Sequence, residues 1–198
     1  MHPDPAFRQD AADALDRAAA IGFAHVMAAT PAGPMVVHAP VTRHTAALRF
    51  HVSRANRLAP HLADAAVLVS VAGADGYISP NWYERPGDQV PTWNYVAIEI
   101  DGIARHCDEA ALVEQLDALA AMHEPRVNPS RPWTRAKMDD ALFRRMLGGI
   151  VGFEVEVTAV RSTAKLSQNK TAADRAGVVA GLRAAGMPAL AAAMEIGA

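Results

Sequence analysis

DGYISPNWYERPGDQVPTWNY, residues 75–95, holds two of the chain's three tryptophans and all three of its tyrosines, together with Pro80, Pro86 and Pro91. Its apolar residues keep no helical period, and each proline removes a backbone donor and fixes φ. A regular buried element is therefore not expected here. The stretch predicts a short strand over 76–79, a proline-bounded corner, an exposed loop over 84–89 and a second strand from Thr92. Rings gathered in such a corner either pack or recognise a ligand.

Outward from this corner the chain changes period several times. Residues 6–20, AFRQDAADALDRAAA, repeat apolar positions at three and four spacing and stop near Gly22, which predicts an amphipathic helix. FAHVMAA, GPMVVHAP, AALRFHV and AVLVSVAG are short runs separated by the turn-forming TPAG, VTRHTA and ADG, and they predict consecutive antiparallel strands. NYVAIEIDGIARH continues the corner as a long strand with a kink or bulge at Gly102. Asp108 to His123 reads as a helix with an acidic first turn. The connector EPRVNPSRPW leads to a second helix over 134–147. FEVEVTAV alternates as a last strand, with Phe153, Val155 and Val157 on one face. An alanine-rich helical tail, 171–193, breaks at Gly186 and Pro188. Six or seven strands with inserted helices give an α+β architecture, a β-barrel or curled antiparallel sheet with flanking helices.

The composition closes off several classes. With 198 residues, 51% of them hydrophobic and 20% charged, the chain can bury a core as one domain. A formal net charge of −2 offers no general attraction to a phosphate backbone. The single cysteine, Cys107, can form neither an internal disulfide nor a cysteine-based zinc site, which suits a cytoplasmic protein. No apolar run reaches 18 residues, and MHPDPAFRQD lacks a basic start followed by an apolar core, so neither a membrane nor export is expected. The dinucleotide, P-loop, zincin, serine-hydrolase and paired-CxxC patterns are missing. The eight histidines show no close pair with ligand spacing, and no metal site is expected.

Two polar clusters carry chemistry. FHVSRANRLAPHL sets Ser53, Arg54, Asn56 and Arg57 directly after a strand, at the start of a short helix ending near His61. Hydroxyl, amide and guanidinium donors around free backbone N–H groups suit a phosphate monoester, and Ser53 equally suits a simple helix cap. KLSQN, Lys165 to Asn169, lies between the last strand and the tail helix, and its side chains can bind carbonyls and phosphates or cap that helix. The acidic residues make no catalytic pair, since Glu84, Asp88, Glu99 and Asp101 lie on a loop or alternate along a strand.

Taken together, YISPNWY, VPTWNYVAI, FHVSRAN, KLSQN and the HAPV that begins at His38 resemble the PaiB family of FMN-binding proteins, described as negative transcriptional regulators. The resemblance covers nearly the whole chain. It implies one split-barrel domain over 1–198, of the flavin-reductase and pyridoxamine-phosphate-oxidase type, with an N-terminal helix and a C-terminal helical tail. It further implies a homodimer with FMN at the subunit interface. The phosphate role falls on Ser53, Arg54 and Asn56. His38 and Pro40, with His51 and Val52, would border the isoalloxazine. Trp93 and Asn94 would stack and read its edge, and Lys165, Gln168 and Asn169 would close the groove from the partner chain. On this reading Trp82, Tyr83, Trp93 and Tyr95 build a rigid corner at the groove. The function implied is a transcriptional regulator or flavin-dependent redox sensor. A flavin-dependent oxidoreductase and a haem-binding protein are the alternatives, and no residue stands out as a catalytic acid or base. DNA is weakly supported as a partner, because Asp139 and Asp140 dilute the cations Arg135, Lys137, Arg144 and Arg145.

Overall fold

The computed structural model describes residues 4–196; the first three residues of MHPDPAFRQD lie outside that range, as do 197 and 198. Six strands are formed: β1 (Phe23–Thr30), β2 (Gly33–His44), β3 (Ala47–Ser53), β4 (Ala66–Ile78), β5 (Thr92–His106) and β6 (Ile150–Lys165). Five helices accompany them: α1 (Ala11–Ile21), α2 (Glu109–Val127), α3 (Asp140–Leu147), α4 (Ala172–Ala184) and α5 (Pro188–Ile196). The strands close into a barrel in the order β1-β2-β3-β6-β5-β4. This is the antiparallel α+β barrel that the strand runs predicted, and the split barrel that the family resemblance implied.

The chain divides into two compact units. The barrel unit comprises Leu15–Val71 and Glu99–Val160; the helical unit comprises the described parts of 1–14 and 161–198 together with Ala72–Ile98. In the barrel unit, period-two alternation turns Leu48, Phe50 and Val52 of β3 and Val151, Phe153 and Val155 of β6 inward. The Phe50 and Phe153 rings stack with centroids 5.4 Å apart, and burial of each contributes on the order of 2–3 kcal/mol. A Cβ on Gly102 would meet Val155 Cγ1 at 2.4 Å and the Glu156 carbonyl at 2.5 Å, so glycine is needed where β5 and β6 approach. Over β3 lies α2, started by the Asp108 carboxylate accepting from the Ala111 N–H at 2.8 Å.

The helical unit has its own core of Ile78, Tyr83, Val96, Leu166, Val178, Leu182, Leu190 and Met194. Trp82 seats on α4: a Cβ at Gly177 would sit 2.1 Å from the Trp82 carbonyl oxygen, and one at Gly181 2.4 Å from the indole. Gly186, at φ +76°, ends α4 with its N–H on the Arg183 carbonyl, and Pro188 begins α5.

Four local expectations are corrected. Residues 6–20 are a 3-10 turn at Pro5–Phe7 followed by α1 from Ala11, because Asp10 accepts from the Ala12 N–H and starts the helix there. ADG is no turn: β4 runs unbroken through it, with Gly76 buried under Met187 and Leu190. The helix expected over 134–147 is a 3-10 turn at Arg135–Lys137 and then α3, capped by Asp139. After Ser53 only a 3-10 turn, Ala59–His61, appears, so no helix N-terminus stands at the SRAN segment.

Candidate functional site

The twelve residues expected to bind flavin fall into two groups, one in each unit. In the barrel unit, alternation leaves His38, Pro40, His51 and Ser53 on the outer face of the sheet. Val52 is the exception at 4% exposed; its side chain faces the barrel interior and cannot wall an outer groove. Two outer residues that sequence reasoning missed join this face. Phe23, 52% exposed, pairs in register with Pro40, and His25 pairs with His38, their rings edge to face at 4.7 Å. Neither pairing is visible before the β1–β2 register is known.

The SRAN loop holds itself in place with its own side chains. Ser53 Oγ accepts from the Ala55 N–H at 3.2 Å and Asn56 Oδ1 from the Leu58 N–H at 2.9 Å. Arg54 donates its Nε–H to the Gly148 carbonyl at 2.9 Å and its backbone N–H to Gly149. What remains are donors: the Arg54 terminal nitrogens and the Asn56 amide, with no protein partner among the described residues. Arg54 and Arg144 line a cavity of about 160 Å³ with Cys107, Asp108, Gly148 and Gly152. The Asp108 carboxylate there caps its own helix. Burial pushes the Cys107 thiol up to about 11, against the nearby Arg49 cation, so it is a protonated wall at neutral pH rather than a nucleophile.

Across the strand pair from Gly152 is His51. Its Nδ1 lies 3.1 Å from Gln115 Oε1, while Gln115 Nε2 donates to the Arg49 carbonyl at 3.2 Å. Burial pushes the His51 imidazole below its ordinary value, opposed by the Gln115 hydrogen bond. Burial also works against the Arg49 charge, yet hydrogen bonds to Glu154 at 2.6 Å and Glu114 at 2.9 Å outweigh it and hold the guanidinium above its usual range.

In the helical unit the expected residues are mostly engaged. Asn94 is 0% exposed, donating to Ser167 Oγ at 2.8 Å, and its Oδ1 has no partner. Such a side chain cannot read a ligand edge without reorganising the core. Gln168 closes its own turn, accepting from the Leu166 N–H at 2.7 Å and donating to the Ala164 carbonyl. Ser167 holds φ +61° inside that turn. Lys165 donates to Thr92 Oγ1 at 2.6 Å, and Asn169 is exposed. Trp93 stays 51% exposed, its Nε1–H on Asp75 at 2.9 Å and its ring edge to face with Tyr77 at 6.4 Å. The aromatic corner therefore divides: Trp82 and Tyr83 pack, whereas Tyr77 and Trp93 are presented to solvent. Lys170 Nζ sits 4.6 Å over the buried Tyr83 ring, whose hydroxyl has no partner and is pushed above its ordinary value by burial and then by Asp174.

Among the described residues no three His, Cys, Asp or Glu side chains are grouped to hold a metal ion, and no helix is long and apolar enough to cross a membrane.

Comparison with known proteins bears on the family and the fold. Residues 1–159 match a family described as "Putative FMN-binding domain". "Protease synthase and sporulation protein PAI 2" of Bacillus subtilis is 35% identical over 113 residues, 57% of this chain and 53% of that protein. The chain thus spans about half the length of this curated relative. Among solved structures, the flavocytochrome Anf3 of Azotobacter vinelandii superposes with a TM-score of 0.61 at 16% identity, over 83% of this chain and 72% of that one. An FAD and heme binding protein of Mycobacterium smegmatis gives 0.57 at 20% identity, over 83% and 74%. At these identities the two structures establish the fold and nothing finer.

Proposed function

The chain belongs to this family of FMN-binding domains, and from that premise we propose that it carries FMN on the outer face of β1, β2 and β3, with the phosphate at Arg54 and Arg144. The observation that carries this reading is the small cavity lined by those two cations, with the terminal nitrogens of Arg54 left open by its loop. A phosphate fits a space of about 160 Å³. The face that continues from it, with Phe23, Pro40, His38 and His51, offers the flat apolar surface and few polar atoms that an isoalloxazine needs. The residues present therefore fit the group. When bound, FMN supplies reversible electron and hydride transfer; the protein's part is to hold and orient it.

The protein acts, on this reading, as a flavin-dependent redox sensor of the PaiB type whose output is regulatory. Residues 1–198 serve as one flavin-binding domain. A homodimer is part of the proposal: Phe23 and Val36 stand exposed on the outer β1–β2 face, continuous with an apolar hollow of about 430 Å³ lined by Met27, Pro34, Leu68 and Ile103. Lys165 and Asn169, both with polar ends at the surface, and the Trp93–Tyr77 pair are the remaining candidates for closing the groove from a partner chain. Direct DNA reading gains little, since Arg135 is held by Asp117 at 3.1 Å and Lys137 by the Pro132 carbonyl, while Arg144 lines the small cavity.

The test is an absorbance spectrum after FMN addition and desalting, for the wild type and Arg54→Ala, with light scattering for mass. Retained flavin at one FMN per chain in a dimer, lost in the variant, is the expected result. A colourless wild type would remove the proposal.

A further inference from the structure

The hydrogen-bond chain through Gln115 determines where a proton sits on His51. A backbone carbonyl only accepts, so the Gln115 atom 3.2 Å from the Arg49 carbonyl is its NH₂ group. The other end of the same amide is then the oxygen, which also only accepts, and it faces His51 Nδ1 at 3.1 Å. Nδ1 must carry hydrogen. Gln115 is 2% exposed, so water does not compete for either contact. In the neutral ring the second nitrogen, Nε2, is left as a bare lone pair. It has no partner among the described residues and is not sealed in the interior. Its strand neighbour Gly152, a residue without a side chain, lines the cavity assigned to the phosphate.

We infer that Gln115 is a positioning residue that locks neutral His51 in its Nδ1–H tautomer, so that Nε2 accepts a hydrogen bond from a donor of the flavin, the ring imide N–H or a ribityl hydroxyl. The inference rests on the proposed placement of FMN on the outer face of β3. Protonation fills the Nε2 lone pair, so acidification abolishes the acceptor. What disfavours that proton is burial, opposed by the Gln115 hydrogen bond. Arg49 on β3 is matched by Glu154 of β6 and Glu114 of α2, and Cys107 stays a neutral thiol. Of the remaining neighbours, Arg54 stands at the end of β3, and Asp108 and Glu109 stand at the start of α2. Burial accordingly keeps His51 neutral around pH 7.

The experiment begins with the flavin-free chain, using long-range proton–nitrogen correlation on histidine-labelled protein. Wild type is expected to show hydrogen on Nδ1 and a bare Nε2, and Gln115→Met is expected to lose that preference. FMN affinity, followed by quenching of flavin fluorescence, should weaken about tenfold in the wild type from about pH 7.5 to about pH 5, as one hydrogen bond is lost. Gln115→Met should already be about tenfold weaker at the higher pH, with a flatter profile. Gln115→Glu, which keeps the shape, covers the case in which the methionine variant does not fold. Its carboxylate holds a proton on His51, so its FMN affinity should stay low up to a higher pH. Lumiflavin, which lacks the ribityl chain, separates the two donors, because its binding follows the same pH profile only if the imide is the donor. Hydrogen on Nε2 in the flavin-free wild type overturns the inference whatever FMN does. The expected tautomer with FMN bound equally by all variants at every pH overturns the acceptor role. The expected tautomer with no FMN binding overturns the flavin placement, and the acceptor role with it, and leaves the Gln115 lock standing.

Discussion

KLSQN in the helical unit and HVSRAN in the barrel unit look alike as sequence: short, polar, at the end of a strand. Their hydrogen bonds go to different places. In KLSQN, Gln168 satisfies two backbone groups of its own turn and Ser167 is buried on Asn94. In HVSRAN, the oxygens of Ser53 and Asn56 are consumed by the loop, while the guanidinium of Arg54 and the amide of Asn56 keep donors open. The lesson is that a signature can mark a fold or a ligand. Only the donors left over after the loop has satisfied itself distinguish the two.

The largest expected effect tests the packed side. Gly177→Ala would ordinarily stabilise a helix interior by about 1 kcal/mol. Here the new Cβ meets the Trp82 carbonyl at 2.1 Å, so a loss of roughly 3 kcal/mol in chemical denaturation is expected. A gain instead would place Trp82 off α4 and make the helical unit as open as the SRAN loop. Next, Arg54→Ala should lower FMN affinity by about 10- to 100-fold in calorimetric titration, as a charge-assisted contact is lost. The melting temperature should hardly move, because Arg54 is exposed and its Gly148 bond is peripheral. Equal losses of stability and affinity would erase the contrast between the two signatures.

Tyr83→Phe sharpens the comparison from within the core. Removing a buried hydroxyl that has no partner should be neutral or stabilise by up to about 1 kcal/mol by thermal melt. A clear loss would reveal a bonded hydroxyl. The smallest effect is the pH dependence of stability from His51. Its folded value lies below that of the unfolded chain, so the unfolded state binds the proton first as pH falls. Stability from this group is complete above about pH 6.5 and declines on acidification towards the folded value. Urea midpoints across that range should drop in the wild type, and Gln115→Glu, which raises the folded value, should reverse the slope.

The barrel was legible because alternation in FAHVMAA, AALRFHV and FEVEVTAV is a one-dimensional signal of which face is buried. What the sequence concealed depends on neighbours far along the chain. Ala74-Asp75-Gly76 has the local chemistry of a turn, yet Gly76 is clamped under Met187 and Leu190 and Asp75 receives the Trp93 indole, so β4 stays straight through it. The expected helix after Ser53 fails because Ser53 and Asn56 tie up the amides in turns. Of the candidate site, Arg54 and Asn56 could be picked from residue type alone. Phe23, Arg144 and Gln115 could not, since each reaches the site only through strand register or helix packing. Val52 was named for its position beside His51, and alternation turns it the other way.

The ring of strands in which β1 bonds both β2 and β4 bears on how the protein behaves when crowded. An open sheet offers its outermost backbone as a template for further strands, and that is the usual entry to fibrils and to runaway assembly. A closed ring has no outermost strand. Strand-by-strand recruitment of further copies is therefore disfavoured, and what the ring offers a neighbour is chiefly the side chains of its outer face.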